Sequence, residues 1–390
     1  MRITAILERA VGLRGDARGG PANALVNFTH HTVSLVAVIT DVRRAGRPVI
    51  GVAFNSIGRF AQSGILRDRM IPRVLAAAPN TLLDDSGRID PAAVLACALR
   101  DEKPGGHGDR AAAAAAMELA CWDLLAKCDD EPAYATIARR VGRQPAPAVA
   151  VYAAGGYYYP QARPHGLRDE MRGYLHDGYD AVKMKIGGAT LPDDLARIET
   201  VIDAVGDGSR VAVDANGRFD RTAATQWAAA LAPYGLRWYE EPGDPLDFAL
   251  HSAVTAGYDG ALATGENLFS VPDVTNLLRY GGMRADRDIF QMDPGLSYGL
   301  THYLGMLETL EAHGFDRRFA FPHGGHLLNL HIAAGLGLGG CESYPGVFQP
   351  FGGYPDGCLP QQGTITPPTS PGFGLEAKAE LAELIAELTA

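Results

Sequence analysis

In the second half of this 390-residue chain, short apolar runs end abruptly in residues able to exchange protons. Val211–Val213 run into Asp214, Trp238-Tyr239 into Glu240, and Ala261–Gly265 into Glu266. Ile289–Met292 then lead to Asp293, Phe319–Pro322 to His323, and Gly339–Cys341 to Glu342. Upstream, Lys183 and Lys185 alternate with Val182, Met184 and Ile186, so a strand there sets two ammonium groups on one face and three apolar side chains on the other. Gathered in one place, carboxylates, an imidazole and amines of this kind are the means of general acid–base work.

The spacing says what would gather them. Glu240 follows Asp214 by 26 residues, Glu266 follows Glu240 by 26, and Asp293 lies 27 further on. About 20–30 residues is one strand, one helix and two loops, the βαβ repeat. Several such units in series give a parallel barrel, in which residues at the C-terminal strand ends all face one bowl. The segments between read as helices. Leu191-Pro192-Asp193-Asp194 opens a run with Leu195, Ile198, Val201 and Ile202 at helical spacing, and Ser270 with Pro272-Asp273 opens another that Gly281-Gly282 close. Taken singly, Asp214 would be a cap or turn residue and Glu240-Glu241 a solvated loop before Pro242. The common spacing joins them.

Bulk properties narrow the class. A length of 390 residues suits two domains, or one with a lid, and 47% apolar content is ordinary for a packed protein. A net charge of −10 without a basic tract argues against nucleic acid as partner. The apolar run at Met1–Glu8 is interrupted by charge, unlike a signal peptide, and no stretch is long and apolar enough for a membrane span. Five scattered cysteines form no zinc-type cluster and fit a reducing, cytoplasmic setting.

The first part of the chain reads differently. Leu13–Asn23 is a loop rich in Gly, Arg and Pro and is expected to be mobile; Val33–Val42 and Pro48–Phe54 form an antiparallel hairpin. Met70–Ala78 and Pro91–Arg100 are helical in pattern, Glu102–Gly108 is turn-rich, and Arg110–Lys127 is an alanine-rich helix. A boundary is expected near Ala126. Val149–Ala154 then reads as the first barrel strand, ending in Gly155-Gly156-Tyr157-Tyr158-Tyr159, an aromatic loop suited either to wall a pocket or to make a surface contact. The divisions expected are 1–126, an α+β cap; 127–345, the barrel; and 346–390, a Gly/Pro-rich tail whose final amphipathic helix, Glu376–Leu388, packs back on the cap. His326 and His331 read as surface or packing residues on the helix after His323.

In this order the motifs resemble the enolase superfamily, in its mandelate racemase-like branch, over essentially the whole chain. The carriers are Lys183-Met184-Lys185, Val213-Asp214-Ala215-Asn216, Glu240-Glu241-Pro242, Gly265-Glu266-Asn267, Gln291-Met292-Asp293 and Pro322-His323-Gly324-Gly325-His326. Glu102–Gly108, Ala153–Pro160 and Leu296–Leu300 resemble the tartrate-dehydrating members in particular. The resemblance implies a modified TIM barrel, (β/α)7β, under an N-terminal α+β capping domain. It implies Mg²⁺ held by Asp214, Glu240 and Glu266, with Glu240 and not Glu241 at the ligand position. It implies Lys185 as general base, Lys183 as partner of the substrate carboxylate, His323 as general acid, Asp293 as the group orienting His323, and Glu342 near the substrate. From the cap and the aromatic loop, Asn23, Lys103 and Tyr159 are the expected substrate contacts. The partner implied is a small hydroxy acid, and the assembly a homo-oligomer.

The chemistry would need such residues. Taking a proton from beside a carboxylate makes an enediolate, which a hard cation with oxygen ligands stabilises as its charge develops. Lys185 must be uncharged to act as base, and Lys183 together with the cation disfavours a second positive charge. If His323 protonates a β-hydroxyl, water leaves; if it protonates the same carbon, the outcome is racemisation. The motifs alone serve both. Asn216 stands where many sugar-acid dehydratases of the branch carry a His, and Gln291–Gly299 lacks the lysine of cycloisomerases and dipeptide epimerases. Ile57 stands where a polar residue able to touch a tartrate substrate is expected, whereas Lys103 offers a cation for a second carboxylate.

Overall fold

The computed structural model describes residues 1–14, 18–161 and 166–390. The loop expected over Leu13–Asn23 is thus partly outside the described residues.

The N-terminal part is a three-stranded antiparallel sheet, β1 (Ile3–Gly12), β2 (Thr32–Arg44) and β3 (Arg47–Phe54), in sequential order. The turn between β2 and β3 has two residues, Ala45 and Gly46, both at positive φ (46° and 79°). That backbone matches the right-handed twist of the flanking strands. Short helices α1 (Ser63–Ile65), α2 (Ile71–Leu75) and α3 (Pro91–Ala98) follow, then α4 (Asp109–Asp129). The alanines Ala111–Ala116 are all fully buried, because α4 lies between the sheet and the barrel. Small side chains let backbones approach closely. A Cβ at Gly51 of β3 would stand 2.0 Å from the Ala120 carbonyl oxygen. The boundary expected near Ala126 falls inside α4, which continues unbroken to Asp129.

After α5 (Ala133–Arg140) the chain enters a parallel barrel. Its members are β4 (Val149–Gly155), β5 (Val182–Lys185), β6 (Val211–Asp214), β7 (Trp238–Glu240), β8 (Leu262–Thr264) and β9 (Ile289–Phe290), each paired with the next. The seventh member is the extended stretch through Ala320, bridged in parallel to Phe290. The eighth, β10 (Cys341–Ser343), accepts that stretch through a Glu342 amide to Pro322 carbonyl bond and pairs back to β4, closing the ring. Between successive members lie α6 (Gly166–His176), α7 (Leu191–Val205), α8 (Arg221–Leu231), α9 (Phe248–Gly257), α10 (Val271–Tyr280), α11 (Leu300–Ala312) and α12 (Leu327–Leu336). No helix follows β10 directly, so the architecture is (β/α)7β.

Local sequence starts these helices. Thr190 accepts from the Asp193 amide with Pro192 in the first turn of α7, and Ser270 does the same for α10 with Pro272. The barrel floor is a cluster of Tyr152, Trp238, Ile289 and Phe321 on a ring of alanines. The tail adds β11 (Thr364–Ile365), antiparallel to β4, and ends in α13 (Ala379–Thr389) against β1 and β2, where Arg9 pairs with Glu387 at 2.5 Å.

Candidate active site

Both faces of β5 are buried. Val182, Met184 and Ile186 face the helices, and Lys183 (0% exposed) and Lys185 (5%) face the bowl, so neither lysine is the solvated side chain its type usually is. Lys183 Nζ donates to Glu240 Oε1 at 2.6 Å, pairs with Glu342 at 2.7 Å and lies 3.4 Å from Asp214. Lys185 Nζ donates to Asp214 Oδ2. Burial works against the Lys183 charge, but Glu240 and Glu342 outweigh it and hold the ammonium well above the usual lysine range. For Asp214 burial is likewise outweighed, by Lys185 and Lys183, and its carboxyl is held low.

Asp214 and Glu240 end β6 and β7, and Glu266 stands two residues past the end of β8. One oxygen from each lies within 4.8 Å of the others, close enough to hold a single cation. Glu240 is oriented by Trp238 Nε1 at 2.9 Å and Gln291 Nε2 at 2.8 Å besides Lys183. Three hydrogen bonds leave one of a carboxylate's roughly four acceptor positions open. Glu266 Oε2 is buried with no hydrogen bond among the described residues. Glu241 stands behind them, 2% exposed, with both oxygens 3.1 Å from Asn267 Nδ2.

Charge is out of balance here. Six carboxylates (Asp214, Glu240, Glu241, Glu266, Asp293 and Glu342) face three cationic groups, Lys183, Lys185 and His323. Burial drives Glu240 and Glu241 upward, and neighbouring carboxylates, Asp214 for the first and Glu266 for the second, drive them further. An orphaned buried oxygen and a surplus of hard oxygen donors fit a divalent cation of the Mg²⁺ type.

Across the ring from Lys185, His323 Nε2 lies 3.4 Å from Glu266 Oε2. Its Nδ1 lies 3.1 Å from Asp293 Oδ2. Asp293 is fixed in turn by the Gly295 amide at 2.7 Å and Asn329 Nδ2 at 3.1 Å, both on Oδ1. Burial opposes the imidazolium, but Glu266 and Asp293 more than offset it and push His323 up to about 10. Glu342 accepts from the Gly324 amide at 3.0 Å, which ties the eighth strand to the loop carrying His323. From the cap, a Cβ at Gly58 would stand 3.8 Å from His323 Cε1, so the loop after β3 reaches this side of the bowl.

The expected substrate contacts lie differently. The Tyr159 ring is under the Arg18 guanidinium at 3.8 Å, and the tyrosine beside the lysine pair is Tyr157, whose ring centre is 5.4 Å from Lys185 Nζ. Asn23 Oδ1 accepts from the Leu25 and Val26 amides (2.9 and 2.6 Å) and shapes its own loop, which pairs with the aromatic loop through Ala22 and Tyr158. Lys103 is exposed; its carbonyl accepts from Arg110 at 2.8 Å, and its side chain makes no hydrogen bond or ion pair among the described residues. Ile57 is 1% exposed within the core.

Sequence reasoning missed Tyr344, whose hydroxyl is 2.9 Å from His323 Nε2. The available signal was strand alternation, which gives Tyr344 the face of Glu342 two residues earlier. His326 and His331 are packing residues, both fully buried and neither at the surface.

A closed parallel barrel thus brings three carboxylates around one point that could hold a cation, flanked by a buried lysine pair and an imidazole–carboxylate pair able to exchange protons. Residues 166–381 match the enolase C-terminal domain-like family, and the chain belongs to it. It is 30% identical over 235 residues to the 3,6-anhydro-alpha-L-galactonate cycloisomerase of Streptomyces coelicolor, covering 60% of each chain. It is 27% identical over 237 residues to the L-talarate/galactarate dehydratase of Salmonella typhimurium, covering 60% of this chain and 56% of that one. It is 25% identical over 234 residues to the arabinonate dehydratase of Saccharolobus solfataricus, covering 60% of each. The chain thus spans about 60% of the length of the curated relatives it matches. In fold it is similar to a racemase from Streptomyces coelicolor with bound magnesium (TM-score 0.76, 21% identity, 97% of this chain and 99% of that one). It is also similar to the L-talarate dehydratase of a Polaromonas species complexed with Mg and L-glucarate (TM-score 0.73, 22% identity, 96% and 95%). No helix among the described residues is long and apolar enough to cross a membrane.

Proposed function

We propose that this protein is a magnesium-dependent acid dehydratase and that its substrate is D-tartrate, converted to oxaloacetate with loss of water. The observation that carries the reading is the bracketing of the triad: Lys185 contacts Asp214 at one end and His323 approaches Glu266 at the other. A base and an acid on opposite flanks of one bound molecule suit removal of a proton from one carbon and departure of a hydroxyl from the next. The resemblance of Glu102–Gly108, Ala153–Pro160 and Leu296–Leu300 to tartrate-dehydrating enzymes is what supports the particular substrate.

In this account Asp214, Glu240 and Glu266 hold Mg²⁺, which when bound supplies positive charge beside the substrate carboxylate and its α-hydroxyl. Lys183 pairs with the same carboxylate. Lys185, having released its own proton, takes the α-proton, and the C–H electron pair moves toward the carboxylate carbon. His323 gives the Nε2 proton to the β-hydroxyl, the C–O bond breaks, and water leaves. The electron pair from the α-carbon closes the C=C bond as water departs, and the enol then loses its O–H proton and gains one at the β-carbon to become the keto acid. Asp293 holds the imidazole by Nδ1 throughout. Glu342 keeps Lys183 and the His323 loop in register.

A second reading, dehydration of a longer sugar acid, is favoured by Ile57, which offers no polar group for a distal hydroxyl, and by relatives named for talarate, galactarate and arabinonate. Incubation with Mg²⁺ and D-, L- and meso-tartrate, alongside a panel of sugar acids, separates the two by formation of 2-keto acid. Product from D-tartrate alone supports the first reading and product from a sugar acid the second. Isotope exchange without keto acid would make the protein a racemase or epimerase, and Mg²⁺ binding with neither would make it a non-catalytic metal-binding protein.

A further inference from the structure

Behind Lys185 stands a support that no step above uses. Arg197, in the second turn of α7, turns its guanidinium to the ends of β4 and β5. One terminal nitrogen donates to the Lys185 carbonyl at 2.9 Å and to Asp194 Oδ1 at 2.6 Å, and the other donates to the Gly156 carbonyl at 2.7 Å. Lys185 is the last residue of β5 and Gly156 the first beyond β4, so both carbonyls stand where the two strands leave their shared ladder. The planar fork of one arginine spans them.

Two further side chains complete the support. Asp194 is fully buried and accepts from the Gly187 amide at 2.8 Å and from the Tyr158 hydroxyl at 2.7 and 2.8 Å. That hydroxyl accepts in turn from the Gly188 amide at 3.0 Å. The Arg197 guanidinium lies 4.2 Å from the centre of the Tyr158 ring, within cation–π range. The ring sits so close to the chain after β5 that a Cβ at Gly188 would stand 2.5 Å from it. Tyr158 also exchanges two backbone hydrogen bonds with Ala22 of the N-terminal part, at 2.8 and 3.1 Å. Arg197, Asp194 and Tyr158 therefore join the turn leaving the lysine strand, the aromatic loop and the loop at Ala22.

We infer that Arg197 is a positioning residue for Lys185: with Asp194 and Tyr158 it fixes the backbone at the end of β5, so that Lys185 Nζ keeps its place beside Asp214. This rests on the reading of Lys185 as the group that takes the α-proton. The lysine side chain is a flexible four-carbon stem, and where its amine can reach depends on how firmly its own backbone is held. Displacing a reacting group by about 1 Å can slow a step about 10²-fold. The hydrogen bonds of Arg197 go to the Lys185 and Gly156 backbone and to Asp194, so its loss belongs to kcat, with KM and the cation triad little affected.

The test uses Arg197→Lys, which keeps the charge and loses the fork, and Tyr158→Phe, which keeps the ring and loses the hydroxyl between Asp194 and Gly188. In both full-length variants, hydrogen exchange at the Gly187 and Gly188 amides, which are bonded to Asp194 and Tyr158, should quicken by about tenfold, with residues 198–205 of α7 unchanged. Calorimetric titration with Mg²⁺ counts the intact sites, and kcat per site should fall about 10–100-fold while KM and the Mg²⁺ affinity stay near those of the wild type. A merely structural role would lower the number of sites and leave kcat per site unchanged, and that result overturns the inference. So does unchanged exchange at Gly187 and Gly188, or a rise in KM at constant kcat. If the wild type turns over no acid, the dehydratase reading fails by itself, and the exchange measurement still decides whether Arg197 and Tyr158 hold the end of β5.

Discussion

His323 presents Nδ1 to Asp293 Oδ2 at 3.1 Å, and the other Asp293 oxygen is already committed to Gly295 and Asn329. The carboxylate thus has one free oxygen and one task. Asp293→Asn keeps the shape but removes the charge that favours the imidazolium. We expect kcat to fall by about 10²–10⁴, the usual worth of a positioned general acid, with KM little changed. Steady-state kinetics on the accepted acid checks this, and a rise in KM at constant kcat would assign Asp293 to substrate binding instead.

Lys185→Met should abolish turnover yet leave Mg²⁺ binding intact, since Lys185 contacts the triad only through Asp214. Calorimetric titration with Mg²⁺ reads the second half of the statement. A variant that no longer binds the ion would make Lys185 part of the cation's support and not the base.

How much of this was legible beforehand differs by residue. The repeated 26-residue spacing, Asp214 to Glu240 and Glu240 to Glu266, was enough to expect a barrel and a shared bowl, because a βαβ unit has a nearly fixed length. Helices α7 and α10 were legible from Leu191-Pro192-Asp193-Asp194 and from Ser270 with Pro272-Asp273, where helix starts are a local matter, although the Thr190 cap of α7 was not singled out. The contacts of Tyr344 with His323, and of Arg110 with Tyr298, were not legible. They join positions 21 and 188 residues apart through packing that no local pattern encodes. The seventh barrel member was visible only as a run ending in His323, since Pro322 and short bridging leave it without a regular ladder.

Removing the ion should cost stability. With six carboxylates around three cations, Mg²⁺ binds the folded state and not the unfolded chain, adding about 2.7 kcal/mol at a hundredfold excess over Kd. The melting temperature should therefore rise on adding Mg²⁺ and fall with chelator. Glu266→Gln, which replaces a carboxylate whose Oε2 makes no hydrogen bond, should shrink that shift. An equal shift in the variant would place the ion elsewhere.

Acid should also destabilise the fold through His331. It is fully buried against Tyr134 and Phe373, and burial lowers its pKa to about 3. The unfolded chain takes up that proton near pH 6.5, so between about 6.5 and 3 the unfolded state binds more protons. This contribution is complete above about pH 6.5 and is lost as pH falls, by about 2 kcal/mol at pH 5. Urea unfolding at pH 7 and pH 5 should show a smaller pH-dependent loss in His331→Asn than in the wild type. The same loss in both would mean that other groups carry it.

The most direct test of the central claim, that Lys185 removes the α-proton and His323 expels the hydroxyl, is proton NMR of His323→Asn with Mg²⁺ and the wild type's substrate in D₂O. The account predicts that deuterium enters the α-position while keto acid formation falls by about 10² or more, because the base remains and the acid is gone. Keto acid formed at the wild-type rate would contradict it.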